Sequence, residues 1–68
     1  MEIKAVVLKD KNVVRPNQFW AADLDPIFIT RIGFSEDGYL ATSESQSVSI
    51  FIPIESVNYV IMEGQKDD

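Results

Sequence analysis

The sequence predicts an all-β fold, a small antiparallel barrel of five or six short strands. Its longest apolar run, residues 47–62, alternates apolar positions with the period of two that places successive side chains on opposite faces of a strand. Further short runs rich in β-branched and aromatic residues recur at close spacing between turn signals, as in small barrels and sandwiches. No stretch of the sequence has a convincing helical periodicity.

The N-terminal part of the chain begins with a predicted strand, Glu2–Leu8, which the polar residues 9–12 interrupt. Val13 and Val14 then allow two interpretations, the return arm of a hairpin or an extended segment before a proline. Residues 17–22 also allow two interpretations. They form either a helical turn capped by Asn17 or a short strand that contains the Phe-Trp pair. The aspartates and proline of residues 23–26 indicate a turn.

The middle of the chain predicts a hairpin. Residues 27–34 form a predicted strand, within which Gly33 indicates a bulge or a sharp bend. The predicted turns at residues 35–38 and 44–47 flank a partner strand at residues 39–43. In the first turn the Asp-Gly pair supplies a residue that tolerates positive φ.

The C-terminal apolar run predicts two strands separated by a tight turn or one 3₁₀ turn at residues 53–56, since proline cannot donate to a strand ladder. Before the turn, one strand face is purely aliphatic and consists of Val48, Ile50, Ile52 and Ile54. After it, alternation places Val57, Tyr59 and Ile61 inward. The residues predicted for the core are Ile50, Ile52, Tyr59 and Ile61.

The length of 68 residues allows one domain, expected at residues 1–62 with a disordered tail at 63–68. A domain of this size buries too little surface for high stability and usually needs disulfides, metals or self-association. The chain has no cysteine and no histidine, so self-association is the remaining way to stabilise the fold. With no leader or membrane-spanning stretch in the sequence, a cytoplasmic location is expected.

The acidic balance, a net charge of −5, argues against a protein whose main task is to neutralise phosphates. The charge is uneven, however, because four of the six basic residues lie within the first fifteen positions and make that segment net +2. The runner-up hypothesis is therefore a barrel that binds single-stranded nucleic acid. Its predicted contacts are Lys9, Lys11, Arg15 and Trp20. The alternative role of the basic residues is a solvated turn with lysines that protect an exposed edge strand. The alternative role of Trp20 is to cover one open end of the barrel, because so small a core needs large side chains.

Residues 51–60, FIPIESVNYV, resemble the ending of SH3 domains, in which a proline turn is followed by an asparagine-tyrosine-valine strand. The loop order along the chain is similar to that of SH3-like barrels, and the resemblance implies that barrel topology. Residues 50–61 are also similar to the ending of Sm-like RNA-binding barrels, although residues 34–40 do not match the base-binding signature of that family.

The leading hypothesis for function is a non-enzymatic interaction module that self-associates or binds another protein. Phe51, Val60 and Met62 are predicted to face away from the core residues, and exposed apolar patches mark contact sites. These three are the predicted partner-binding residues. No catalytic, cofactor or metal site is predicted, because histidine and cysteine are absent and the glycines are too far apart for a phosphate loop.

Overall fold

The computed structural model describes residues 2–21 and 25–64. Of these residues, 65% lie in strands, which confirms the all-β class. The strands are β1 (Glu2–Leu8), β2 (Val13–Val14), β3 (Gln18–Trp20), β4 (Ile27–Ile29), β5 (Arg31–Ser35), β6 (Gly38–Ser43), β7 (Val48–Pro53) and β8 (Val57–Glu63). The helical content of this part of the chain is one 3₁₀ turn, Ile54–Ser56, at the predicted break. No helix in it is long and apolar enough to cross a membrane.

The strands form three small antiparallel sheets. The first, here called the terminal sheet, has the order β2-β1-β8 and joins the first strand of the chain to the last. The second pairs β3 with β4, and the third, the meander sheet, has the order β5-β6-β7. Each neighbouring pair in the meander sheet is joined by a short polar turn, as the sequence predicts.

Both N-terminal segments for which the sequence allows two interpretations are strands. Val13 and Val14 pair with β1 and so form the return arm of a hairpin. Its turn is closed by a hydrogen bond from the Leu8 N–H to the Asn12 carbonyl, and Lys11 takes a φ of 75° there. Residues 18–20 form β3, the strand alternative for that stretch. Residues 22–24 lie outside the described part, and with them half of the turn predicted at 23–26.

The break in the predicted strand 27–34 lies at Thr30, which separates β4 from β5. Thr30 donates its N–H to the Thr42 carbonyl and accepts a hydrogen bond from the Glu44 N–H at its hydroxyl. Gly33 instead pairs with Leu40 in a regular ladder. The bulge predicted at Gly33 is therefore wrong. The chain changes from one sheet to the next at Thr30, three residues earlier, so the strand needs no irregularity at Gly33.

The hairpin between β5 and β6 has a two-residue turn, Glu36 and Asp37, between the paired residues Ser35 and Gly38. Gly38 does not have positive φ, so the predicted reason for a glycine here is wrong. The structure gives a different reason. A side chain on Gly38 would overlap the backbone carbonyl of Ile52 on the neighbouring strand.

The core is small and receives side chains from all three sheets. Its buried hydrophobic residues are Ile3, Ala5, Val6, Leu8, Val14, Ile29, Ala41 and Ile52. Ile52 is therefore a core residue as predicted, and Ile50 is half-buried against the same cluster. The ends of the predicted aliphatic face are not covered, since Val48 and Ile54 are exposed.

The predicted core positions on β8 are wrong because the ladder with β1 contains an irregularity. Tyr59 pairs with Val7, but the next pair is Val57 with Leu8, so Asn58 is an extra residue. An extra residue reverses the alternation of faces. As a result Val57 and Val60 pack against the core, whereas Tyr59 is 54% exposed and Ile61 43% exposed.

The end of the chain departs slightly from the predicted boundary. Glu63 is the last residue of β8 and pairs with Glu2, so the terminal sheet extends one residue beyond the predicted domain. Residues 65–68 lie outside the described part, and the disordered tail stays a prediction.

Ile52→Ala is expected to lower the free energy of unfolding by about 2–5 kcal/mol, because it leaves a cavity in the core. The neighbouring change Phe51→Ser, on the opposite strand face, should cost about 1 kcal/mol or less. Denaturant unfolding at low protein concentration measures both values. Equal losses for the two variants would contradict the assignment of faces on β7.

Gly38→Ala should destabilise the fold by about 1–3 kcal/mol, because the methyl group would force β6 away from the Ile52 carbonyl. Gly33→Ala is the matched control, since no atom lies near a Cβ at that position. It should change stability by about 0.5 kcal/mol or less. Thermal melts of the two variants compare them directly, and a Gly38→Ala protein as stable as the control would refute the close approach.

Candidate interaction surface

The outer face of the terminal sheet is apolar. Val13, Val7 and Tyr59 lie side by side across β2, β1 and β8, and Ile61 lies next to Tyr59 on the same face, opposite Ala5. We call the set of Val7, Val13, Tyr59 and Ile61 the terminal face. Its two largest members are exposed, and both valines are half-buried. This face is a contiguous apolar surface that another molecule could cover.

A second apolar area lies on the outer side of the meander sheet. Leu40 is directly opposite Phe51, and the two are 36% and 47% exposed. We call this pair the meander face. The three strands of the sheet contain one charged residue, Arg31, and its guanidinium forms an ion pair with Glu44. The meander face is therefore apolar and almost free of charge.

The three predicted partner-binding residues do not lie together. Phe51 belongs to the meander face, as its position in the alternation indicates. Val60 is half-buried and packs against the core. Met62 lies opposite Ile3, a core residue, at the end of the terminal sheet. The prediction placed Val60 and Met62 outward because alternation alone carries no sign of the extra residue in β8.

Sequence reasoning missed Leu40, Tyr59 and Ile61 as surface residues. A signal for Leu40 was present, because a two-residue turn after Ser35 fixes the pairing of β5 with β6 and the alternation of β6 follows from it. Tyr59 and Ile61 could not be assigned to the surface without the position of the bulge.

The basic residues predicted for nucleic-acid contact are also separated. Lys9 and Lys11 lie in the β1–β2 turn, where Lys9 borders a hollow shared with Asp10 and Glu55. Arg15 lies beyond the far end of β2, ~13 Å along an extended chain from Lys11. Arg15 lines a different groove from Lys9, together with Lys4.

Trp20 packs against the core and is half-buried. Its Nε1 atom is buried, and none of the described residues accepts a hydrogen bond from it. The exposed aromatic residue of this region is Phe19, which is 70% exposed and packs edge to face on Phe28 with ring centres 5.1 Å apart. The arrangement agrees with the core role of Trp20 that the sequence offers as the alternative to stacking on bases.

A groove of about 510 Å³ borders the terminal face. Its apolar lining includes Ala5 and Ile61, and side chains of both charge signs surround them. The charged residues that line it are Glu2, Lys4, Arg15 and Glu63. Within residues 2–21 and 25–64, no three acidic side chains come close enough together to hold a metal ion.

Comparison of the chain with protein-family models, with curated proteins and with solved structures finds no match in any of the three. The two apolar faces and the groove beside one of them are therefore the features from which a function can be argued.

Tyr59→Ser and Val60→Ser form a matched pair on adjacent residues of β8. The change at the half-buried Val60 should lower the free energy of unfolding by about 1 kcal/mol more than the change at Tyr59, because it places a hydroxyl against the core. Denaturant unfolding at low concentration measures the difference. A greater loss for Tyr59→Ser would contradict the reversed alternation.

Proposed function

We propose that this chain is a non-enzymatic protein-interaction module that self-associates. The observation that carries the proposal is the distribution of its apolar side chains. Among the described residues nine large hydrophobic side chains are exposed, whereas eight hydrophobic residues are buried and two of those are alanine. Single exposed hydrophobic residues are ordinary, but contiguous apolar patches mark contact sites.

Energetics favour covering these residues. Complete burial of a large hydrophobic side chain contributes about 1.5–3 kcal/mol, and a domain of this length has a total stability on the order of 5 kcal/mol. Covering only a few exposed side chains would therefore stabilise the folded chain by an amount comparable to its net stability. The sequence has no cysteine for a disulfide and no histidine for a metal site, the other common means of stabilising a small domain.

The proposed framework is an SH3-like barrel. The antiparallel pairing of the first strand with the last supports it, as do the three-stranded meander and the 3₁₀ turn between β7 and β8. Passage of the chain from β4 to β5 at Thr30 would connect the sheets around the core. In such a small barrel each sheet has one inner and one outer face, which leaves the terminal face and the meander face available for contacts.

The native mass in solution tests this function. A mass above that of the 7.7 kDa chain is expected, and it should fall on dilution if the association is reversible. Sedimentation velocity over a wide range of concentrations measures it. A monomer at every concentration would overturn self-association.

A further inference from the structure

We propose that two copies of this chain associate through their terminal faces, packed face to face, with Arg15 of each copy paired with Glu63 of the other. This proposal rests on the proposed self-association and names the surface that serves it. The argument comes from the order of apolar and charged residues across the terminal sheet.

The centre of the terminal face is a row without charge. Tyr59, Val7 and Val13 are direct cross-strand neighbours, so their side chains stand beside one another on three adjacent strands. Ile61 extends the row along β8, and Tyr59 and Ile61 are the most exposed of the four. Tyr59, on the edge strand β8, is the large aromatic residue of this patch, and aromatic residues are typical contact anchors.

The two flanks of this face carry opposite charges. Arg15 lies two residues beyond Val13 on the β2 side, and Glu63 lies two residues beyond Ile61 on the β8 side. Both side chains are exposed, and both line the groove beside the apolar row. The apolar row thus has a positive residue, Arg15, on its β2 side and a negative one, Glu63, on its β8 side, while Lys4 and Glu2 of the central strand β1 line the same groove.

Such a surface is complementary to itself. In a symmetric dimer both copies use the same patch, and a two-fold axis parallel to the strands turns the β2 side of one copy toward the β8 side of the other. The positive flank then meets the negative flank twice. This local attraction matters because each chain has a net charge of −5 and copies repel one another at long range.

The meander face lacks this property. The one charged residue on its strands, Arg31, is paired with Glu44 within the same chain, so the strands of this sheet offer no charge pattern that would orient a second copy. Both faces are apolar, and only the terminal face has flanks of opposite sign. A second copy is therefore the occupant that the terminal face fits.

The size of the face indicates the strength of the contact. Two strands of seven residues and the two-residue β2, at ~4.8 Å spacing, give a footprint of at most roughly 14 Å by 20 Å, or about 300 Å² per copy in projection. A standard stable interface buries about 800 Å² per partner. The dimer should accordingly be weak and in rapid exchange with the monomer.

Charge exchange between Arg15 and Glu63 tests the pairing. Arg15→Glu and Glu63→Arg alone should each raise the dimer dissociation constant about tenfold, because each places like charges together at two symmetric positions. The double variant R15E/E63R should restore the wild-type value, since both pairs are rebuilt with reversed sign. Sedimentation equilibrium measures the four constants, and circular dichroism melts verify that each variant folds.

The matched control is Arg31→Glu, the same change of charge on the meander sheet, which should leave the dissociation constant unchanged. Tyr59→Glu should abolish the dimer, and Phe51→Glu should not.

If the wild-type chain is a monomer throughout, the proposed function fails. If the chain associates but Phe51→Glu alone dissociates it, self-association stands and the terminal face is the wrong surface. Failure of the double variant to recover would refute the Arg15–Glu63 pairing.

Discussion

The ladder between β1 and β8 is the constraint on which the rest of this structure depends. β1 lies at the centre of the terminal sheet, with the short β2 on one side and the last strand of the chain on the other. Its buried residues supply half of the hydrophobic core. The extra residue at Asn58 then decides which side chains of β8 join that core and which form the terminal face. The shift at Asn58, together with a second shift in the ladder between Ile3 and Ala5, thus sets which side chains of the terminal sheet face the core and which lie on the surface.

Much of the fold could be predicted from local signals. The limits of β1 and the position of the 3₁₀ turn follow from alternation and from proline chemistry, which depend on neighbouring residues alone. Turns rich in aspartate, glycine and serine likewise mark the hairpins of the meander sheet. The break at Thr30 was not predictable in this way, because it depends on hydrogen bonds to Thr42 and Glu44, which are distant in sequence.

The candidate surface was less predictable than the strands. Phe51 lies on an outer face, as its place in a regular strand indicates, and its neighbour Leu40 follows from the hairpin pairing. On β8 the same reasoning exchanged the roles of Val60 and Tyr59. Alternation predicts faces only while the ladder is regular, and a bulge arises from the fit between two strands rather than from either strand alone.

The pairing of the first strand with the last also has a consequence for how the chain folds. The segment between β1 and β8 must close into a loop before these two strands can pair. This closure costs conformational entropy before any ladder contact compensates for it, so folds dominated by such distant pairs form slowly. During synthesis β1 must wait, with its apolar residues unprotected, until β8 has left the ribosome. The meander sheet, whose strands are neighbours in sequence, can form in that interval and provide the first surface on which β1 and β8 meet.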